Sequence, residues 1–147
     1  MPATTPSRMS WLALALTLAT VELALTTAYI HLTLGGVLFT LNAIGYALLA
    51  AALAIGAIPH PLIGRFSWLP RVGLAGFTAV TIGAYLVVGP YFSLGWVAKA
   101  VEVAILTLIA ADVVRVYGSV GGLVRAAAST FSARSRTPIG AAGATSR

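Results

Sequence analysis

All three acids in the chain, Glu22, Glu102 and Asp112, fall inside apolar stretches. A charged side chain at the centre of a bilayer costs about 2.5–3.5 kcal/mol on insertion scales. An acid so placed must be protonated, paired, or turned toward a hydrated cavity. Glu22 lies near the middle of the first apolar run. As a functional group it would be a proton- or cation-binding carboxylate. As a structural group it would be a hydrogen-bonded acid that holds helices together. The residues themselves leave both readings open.

Lys99 and Glu102 stand three positions apart, one helical turn, and can pair on one helix face. Asp112 and Arg115 repeat that spacing and read as an anchor near a membrane surface. His31, at the end of the first apolar run, could exchange protons near neutral pH, although an interfacial histidine is more often structural. Tyr29, Asn42 and Tyr46 fall at a similar depth. Tyr29, His31, Asn42, Tyr46, Lys99 and Glu102 therefore suit a polar pocket in the outer half of the membrane, with Glu22 beneath them.

Other chemistry finds no support. The chain lacks cysteine, which excludes disulfides, thiolate metal sites and cysteine nucleophiles. Its second histidine, His60, falls at the opposite membrane side, so one chain cannot hold a haem between two histidines. No metal-ligand or nucleophile constellation is visible, so neither an enzyme, a metal nor a cofactor is expected.

The elements that would position these residues are set by hydropathy. Hydrophobic residues make up 59% of the 147-residue chain and charged ones 8%, against about 25% charged in an ordinary soluble domain. So few charges cannot cover a water-facing surface, and the bilayer must be the solvent. A hydrocarbon core of roughly 30 Å needs about 20 apolar residues in a helix. Four such spans are expected, over about 11–34, 37–58, 72–88 and 94–117. Gly35-Gly36 and Gly89-Pro90 punctuate two hairpins, and Pro59-His60-Pro61 ends the second span by removing backbone donors. An all-α antiparallel bundle of four helices is the simplest result.

Charge fixes the expected orientation. The formal net charge is +6. Arg8 precedes the first span, Arg65 and Arg71 lie in the middle loop, and Arg115, Arg125, Arg134, Arg136 and Arg147 fall at or beyond the end of the last. The two hairpin turns carry no basic residue. Lysine and arginine are retained on the cytoplasmic side, which puts both termini and the middle loop inside. The expected organisation is a cytoplasmic segment at 1–10, a membrane domain at 11–118 and a basic, partly disordered tail at 119–147. Basic residues so distributed suit anionic lipid headgroups, and no nucleic-acid partner is expected. A cleaved leader over residues 1–28, cut after Thr26-Thr27-Ala28, is the rival reading, but its apolar run is long and holds Glu22.

Packing should rest on small residues, because lipid supplies no hydrophobic drive between helices. The second span offers Ala43, Ala47 and Ala51, with Ala50 and Ala54 beside them. The third offers Ala75, Ala79 and Gly83. The first span carries two polar stripes, Glu22-Thr26-Tyr29-Thr33 and, nearly opposite, Thr20-Ala24-Thr27-His31. A helix polar on two sides should meet protein on both. The tail residues Val120 to Phe131 could form a surface helix, with Leu123, Val124 and Phe131 inward and Arg125 outward. Ala28-Tyr29-Ile30 before Gly35-Gly36 also echoes Ala84-Tyr85-Leu86 before Gly89-Pro90, as a parallel repeat would.

The run Ala19-Thr20-Val21-Glu22-Leu23-Ala24-Leu25-Thr26-Thr27 resembles the first span of the small multidrug resistance transporters, four-helix proteins with an essential glutamate there. The similarity covers one helix only. The proline- and tyrosine-bearing second span of that family is missing, and its transport function is not carried over. The expected role is a non-catalytic subunit or accessory protein of a membrane complex, in a bacterial plasma membrane, as a homo-oligomer or with a partner membrane protein. The alternative is a small proton-coupled transporter or channel that uses an intramembrane glutamate.

Overall fold

A computed structural model describes residues 10–132. The N-terminal segment before Ser10 and the tail beyond Ser132, with Arg8, Arg134, Arg136, Arg147 and the expected tail disorder, lie outside the described residues. Among those described, all regular structure is helical. The elements are α1 (Trp11–Leu34), α2 (Val37–Gly56), α3 (Pro61–Arg65), α4 (Trp68–Val88), α5 (Ser93–Tyr117) and α6 (Val120–Ser132).

Each helix ends for a local reason. Ser10 caps α1, its side chain accepting from the Ala13 N–H at 3.2 Å, which satisfies one of the orphan donors of the first turn. Gly35 and Gly36 take φ of 69° and 84°, backbone that residues with a Cβ adopt poorly, and so join α1 to α2 in a short turn. Gly118, at φ 73°, closes α5 in the left-handed conformation. In the middle loop His60 accepts from Leu62 N–H ahead of the short α3, whose first residue is Pro61. Helix α4 begins at Trp68, a turn before the span expected at Val72, and carries Pro70 within its first turn, where its missing N–H costs nothing.

Helices α1 and α2 pack on each other, as do α4 and α5; α1 also packs on α5, and α2 on α4. Every one of these helices buries a stripe with alternating three- and four-residue steps. The stripes are Thr17, Thr20, Ala24, Thr27 and His31 on α1; Ala43, Tyr46, Ala50 and Leu53 on α2; Leu74, Thr78, Thr81 and Tyr85 on α4; and Gly95, Ala98, Glu102, Ile105, Ile109 and Asp112 on α5. That spacing is the seam of shallow-angle, knobs-into-holes packing.

The four-residue small stripes expected on α2 and α4 are therefore corrected. Ala43 is buried, but Ala47 and Ala51 are exposed; Ala79 and Gly83 are exposed too. A strict four-residue step drifts around the helix, and the observed seam mixes small, aromatic and branched residues instead. On α1 the Thr20–His31 stripe is buried, while Glu22, Thr26, Tyr29 and Thr33 face outward with no covering element among the described residues. The echo between hairpins also fails in placement, since Tyr29 is exposed and Tyr85 buried.

The molecule is more polar inside than outside. Threonines and ionisable groups fill the seam, while Val37, Val80, Val87 and Val88 are each more than two-thirds exposed. Such an inversion needs an apolar solvent. Three helices, α1, α2 and α4, are long and apolar enough to cross a membrane by length and composition. Helix α6 packs on α5 and α4. It buries Leu123 and Thr130 and leaves Val124 and Phe131 exposed, the Phe131 ring meeting Trp68 edge to face.

Candidate functional site

The polar centre is assembled from all four long helices. Glu102 on α5 is completely buried. One turn earlier on the same helix, Lys99 directs its ammonium onto Glu102 Oε2, closing the pair that the spacing suggested. Lys99 Nζ also donates to the Thr81 carbonyl on α4 at 3.3 Å. The Thr81 hydroxyl lies 3.1 Å from Glu102 Oε2 and 2.8 Å from the Tyr46 hydroxyl of α2. Burial of two opposite charges is tolerable only when both are paired and hydrogen-bonded, and Thr81 adds to both with its hydroxyl and its carbonyl.

Helix α1 contributes His31, whose Nε2 stands 3.8 Å from Glu102 Oε1. His31 Nδ1 lies 2.7 Å from the Thr27 carbonyl oxygen. A carbonyl only accepts, so Nδ1 carries the proton, an assignment that follows from the hydrogen-bond network. In the neutral ring Nε2 is then a lone pair facing a carboxylate oxygen. Glu102 Oε1 has no hydrogen-bond partner among the described residues. At 3.8 Å the two acceptor atoms face each other beyond hydrogen-bond distance.

Above this network a cavity of about 240 Å³ opens between the ends of the helices. Its floor includes His31, Asn42, Thr81 and Lys99, and its walls include Phe39, Tyr85 and Phe92. Gly95 makes the wall possible. A Cβ there would sit 2.5 Å from the Tyr85 hydroxyl, so glycine lets the Tyr85 ring lie against α5. Lys99 Nζ is 5.4 Å from the centre of that ring, a cation–π distance.

The expected pocket residues thus divide. His31, Tyr46, Lys99 and Glu102 come together. Asn42 lines the cavity and hydrogen-bonds neither Lys99 nor Glu102. Tyr29, 69% exposed, lies with Glu22 on the outer face of α1, where a shallow groove is lined by Leu18, Val21, Glu22, Leu25, Thr26 and Tyr29. Glu22 does not lie beneath the buried network, because the turn of α1 that inserts Thr20 and Thr27 points Glu22 away. Thr81 is the member that sequence reading missed. A threonine in an apolar helix, like Thr78 and Thr81 here, carries no signal until its neighbours are known.

A second polar cluster joins the other end of α4 to α5. Asp112 accepts from Arg71 Nε at 2.7 Å and from Arg115 Nε at 3.0 Å, and Arg71 also donates to the Ser67 carbonyl. The spacing suggested Arg115 as the partner; Arg71, read as a loop base, is buried inside α4 as well. Nearby, Arg65 donates to the Thr130 carbonyl and Trp68 Nε1 to the Thr130 hydroxyl at 3.3 Å, which ties α6 to the middle loop.

Compared with known proteins, the chain matches no family model, no curated protein and no solved structure.

Proposed function

We propose that this chain is a four-span plasma-membrane protein of a bacterium, an antiparallel bundle with both termini cytoplasmic. In this reading it serves as a non-catalytic subunit or accessory protein of a membrane complex. Helix α5 is taken as the fourth crossing. Its ionisable residues Lys99, Glu102 and Asp112 are buried and paired, and Val97, Val103 and Val114 are among the residues it turns outward. The orientation rests on Arg65, Arg71, Arg115 and Arg125, which gather at one end, while the turns at Gly35 and Gly89 carry no base.

The observation that carries the role is Glu22. It is exposed in mid-helix and makes no ion pair among the described residues, with Thr26 and Tyr29 on the same outward face. Lipid cannot satisfy a carboxyl at that depth, whereas a neighbouring transmembrane helix can. The face is thus read as the assembly surface for a second copy or a partner membrane protein. Because the chain has no native cysteine, Thr26→Cys gives a single site for oxidative cross-linking in native membranes. A doubled mass supports the homo-oligomer, and a larger heterologous adduct supports a partner protein. A chain that stays monomeric by cross-linking and by native mass measurement sinks the assembly reading.

One observation favours the alternative of a small proton-coupled transporter or channel. Glu102, buried with Oε1 unpartnered among the described residues and 3.8 Å from His31 Nε2, is then the candidate glutamate in place of Glu22. Proteoliposomes given a pH gradient would test it. Proton uptake abolished by both His31→Gln and Glu102→Gln supports transport, and uptake no faster than in empty vesicles ends it.

A further inference from the structure

The cavity above the buried network has the chemistry of a ligand site, which goes beyond the assembly role. Three of its polar lining residues, His31, Thr81 and Lys99, are each more than nine-tenths buried. Each already has a partner within the protein, so what they offer an occupant is the hydrogen-bonding capacity left over. Lys99 has three donors. Glu102 and the Thr81 carbonyl take two, leaving one N–H for the cavity side or the Tyr85 ring. Asn42 contributes an amide with no hydrogen bond to any described residue. The Lys99 ammonium, with one hydrogen not taken by Glu102 or Thr81, and the Asn42 amide therefore line the same space.

Charge and shape narrow the class of occupant. Lys99 and Glu102 cancel, and with His31 as the Nδ1–H tautomer the floor is neutral. An anionic head would lose its hydration there without a net positive charge to replace it, and would lie close to Glu102. A neutral hydrogen-bond acceptor pays neither cost. Phe39, Tyr85 and Phe92 on the walls suit a flat ring. Leu38, Val80 and Val88 also line the cavity and are each more than two-thirds exposed, so the cavity communicates with the apolar surroundings of the bundle. An apolar tail can lie along that side.

From these observations we infer that the cavity binds an uncharged, lipid-soluble carbonyl compound of the quinone type. One ring carbonyl accepts from Lys99 and Asn42, and the tail leaves between α2 and α4. The inference concerns binding alone. It rests on the membrane reading but not on the Glu22 face, so span labelling and Thr26 cross-linking would fail separately from it.

Decylubiquinone added to the purified full chain in lipid nanodiscs is the test, read by fluorescence quenching. Trp96, whose ring centre lies 5.5 Å from that of Tyr85, is the nearby reporter. The expected result is saturable quenching in the unaltered chain. Asn42→Ala removes the free amide, and Ala84→Leu, on an exposed lining position, narrows the cavity without touching the buried ions. Each should weaken the apparent affinity several-fold, Asn42→Ala by about what one hydrogen bond confers and Ala84→Leu by steric exclusion, while helix content by circular dichroism stays unchanged. Oleate at equal concentration should not displace the quinone. Quenching that rises linearly and equally in all three proteins would mean partition into lipid and overturn the site. Displacement by oleate at equal potency would overturn the neutral-head class.

Discussion

Arg71 and Asp112, on different helices, meet at 2.7 Å with both side chains buried. They close one end of the α4–α5 pair, as Lys99, Glu102 and Thr81 close the other. Ions thus tie α4 to α5 at two levels, beside a contiguous apolar core that includes Ala24, Tyr46, Leu74, Ile105 and Ile109. Each set of charges is tolerable only while its partners remain.

Removing one partner should therefore be costly and removing both should not. Breaking a buried ion pair costs about 3–5 kcal/mol, and Arg115, which still contacts Asp112, should hold Arg71→Met near the lower end of that range. The double replacement Arg71→Met with Asp112→Leu should recover most of the loss. Thermal unfolding in detergent measures both. A double variant no more stable than the single one would show that the ions do more than neutralise each other.

Thr81 should matter more than its size suggests. Tyr46→Phe deletes one end of a single buried hydrogen bond and should cost about 1 kcal/mol. Thr81→Val removes the partner of Tyr46 and one of the two donors to Glu102 Oε2, leaving the buried Tyr46 hydroxyl unpaired, at about 1–3 kcal/mol. If the two variants unfold at the same temperature, the Thr81 hydroxyl is not the bridge its geometry indicates.

Two glycines of the membrane helices should respond to alanine with opposite signs. At Gly45 a Cβ would lie 2.5 Å from the tip of the Phe77 ring, whereas at Gly76 nothing lies within 4 Å. Gly45→Ala forces the ring aside and should destabilise by about 1–3 kcal/mol. Gly76→Ala only restricts the backbone and should be neutral or stabilising by up to about 1 kcal/mol. Unfolding temperatures ranked the other way would mean that α2 and α4 do not approach closely at Gly45.

Single cysteines can test the proposed orientation, again because the native chain has none. Val37→Cys and Tyr91→Cys should react with a membrane-impermeant maleimide on intact cells. Leu62→Cys and Val124→Cys should react only after permeabilisation. Labelling of Leu62→Cys and Tyr91→Cys from the same side would remove α4 or its neighbours from the list of crossings.

The cross-linking prediction is sharpest for the Glu22 side chain itself. Glu22→Leu removes the one charge from the outer face of α1 among the described residues and should abolish the Thr26→Cys adduct, with little change in the unfolding of the single chain because Glu22 makes no ion pair among the described residues. An adduct that persists undiminished would mean that Glu22 is not at the contact.

The order of the helices and their approximate extents were legible in the sequence, although α4 begins at Trp68 and so takes in Arg71, read as a loop base. They follow from runs of apolar residues ended by glycine and proline, and these signals act locally. The Lys99–Glu102 and Asp112–Arg115 pairs were legible for the same reason, since one helical turn brings them together whatever surrounds them. What only the tertiary structure decided was the rotation of each helix about its axis. It turned Thr20 and His31 inward and Glu22 and Tyr29 outward, chose Ala43 and Ala50 over Ala47 and Ala51, and brought Arg71 to Asp112 and Thr81 to Glu102. In water, an apolar stripe announces the buried face by contrast with a polar one. In lipid the solvent is as apolar as the side chains, that contrast vanishes, and only packing between helices selects the face.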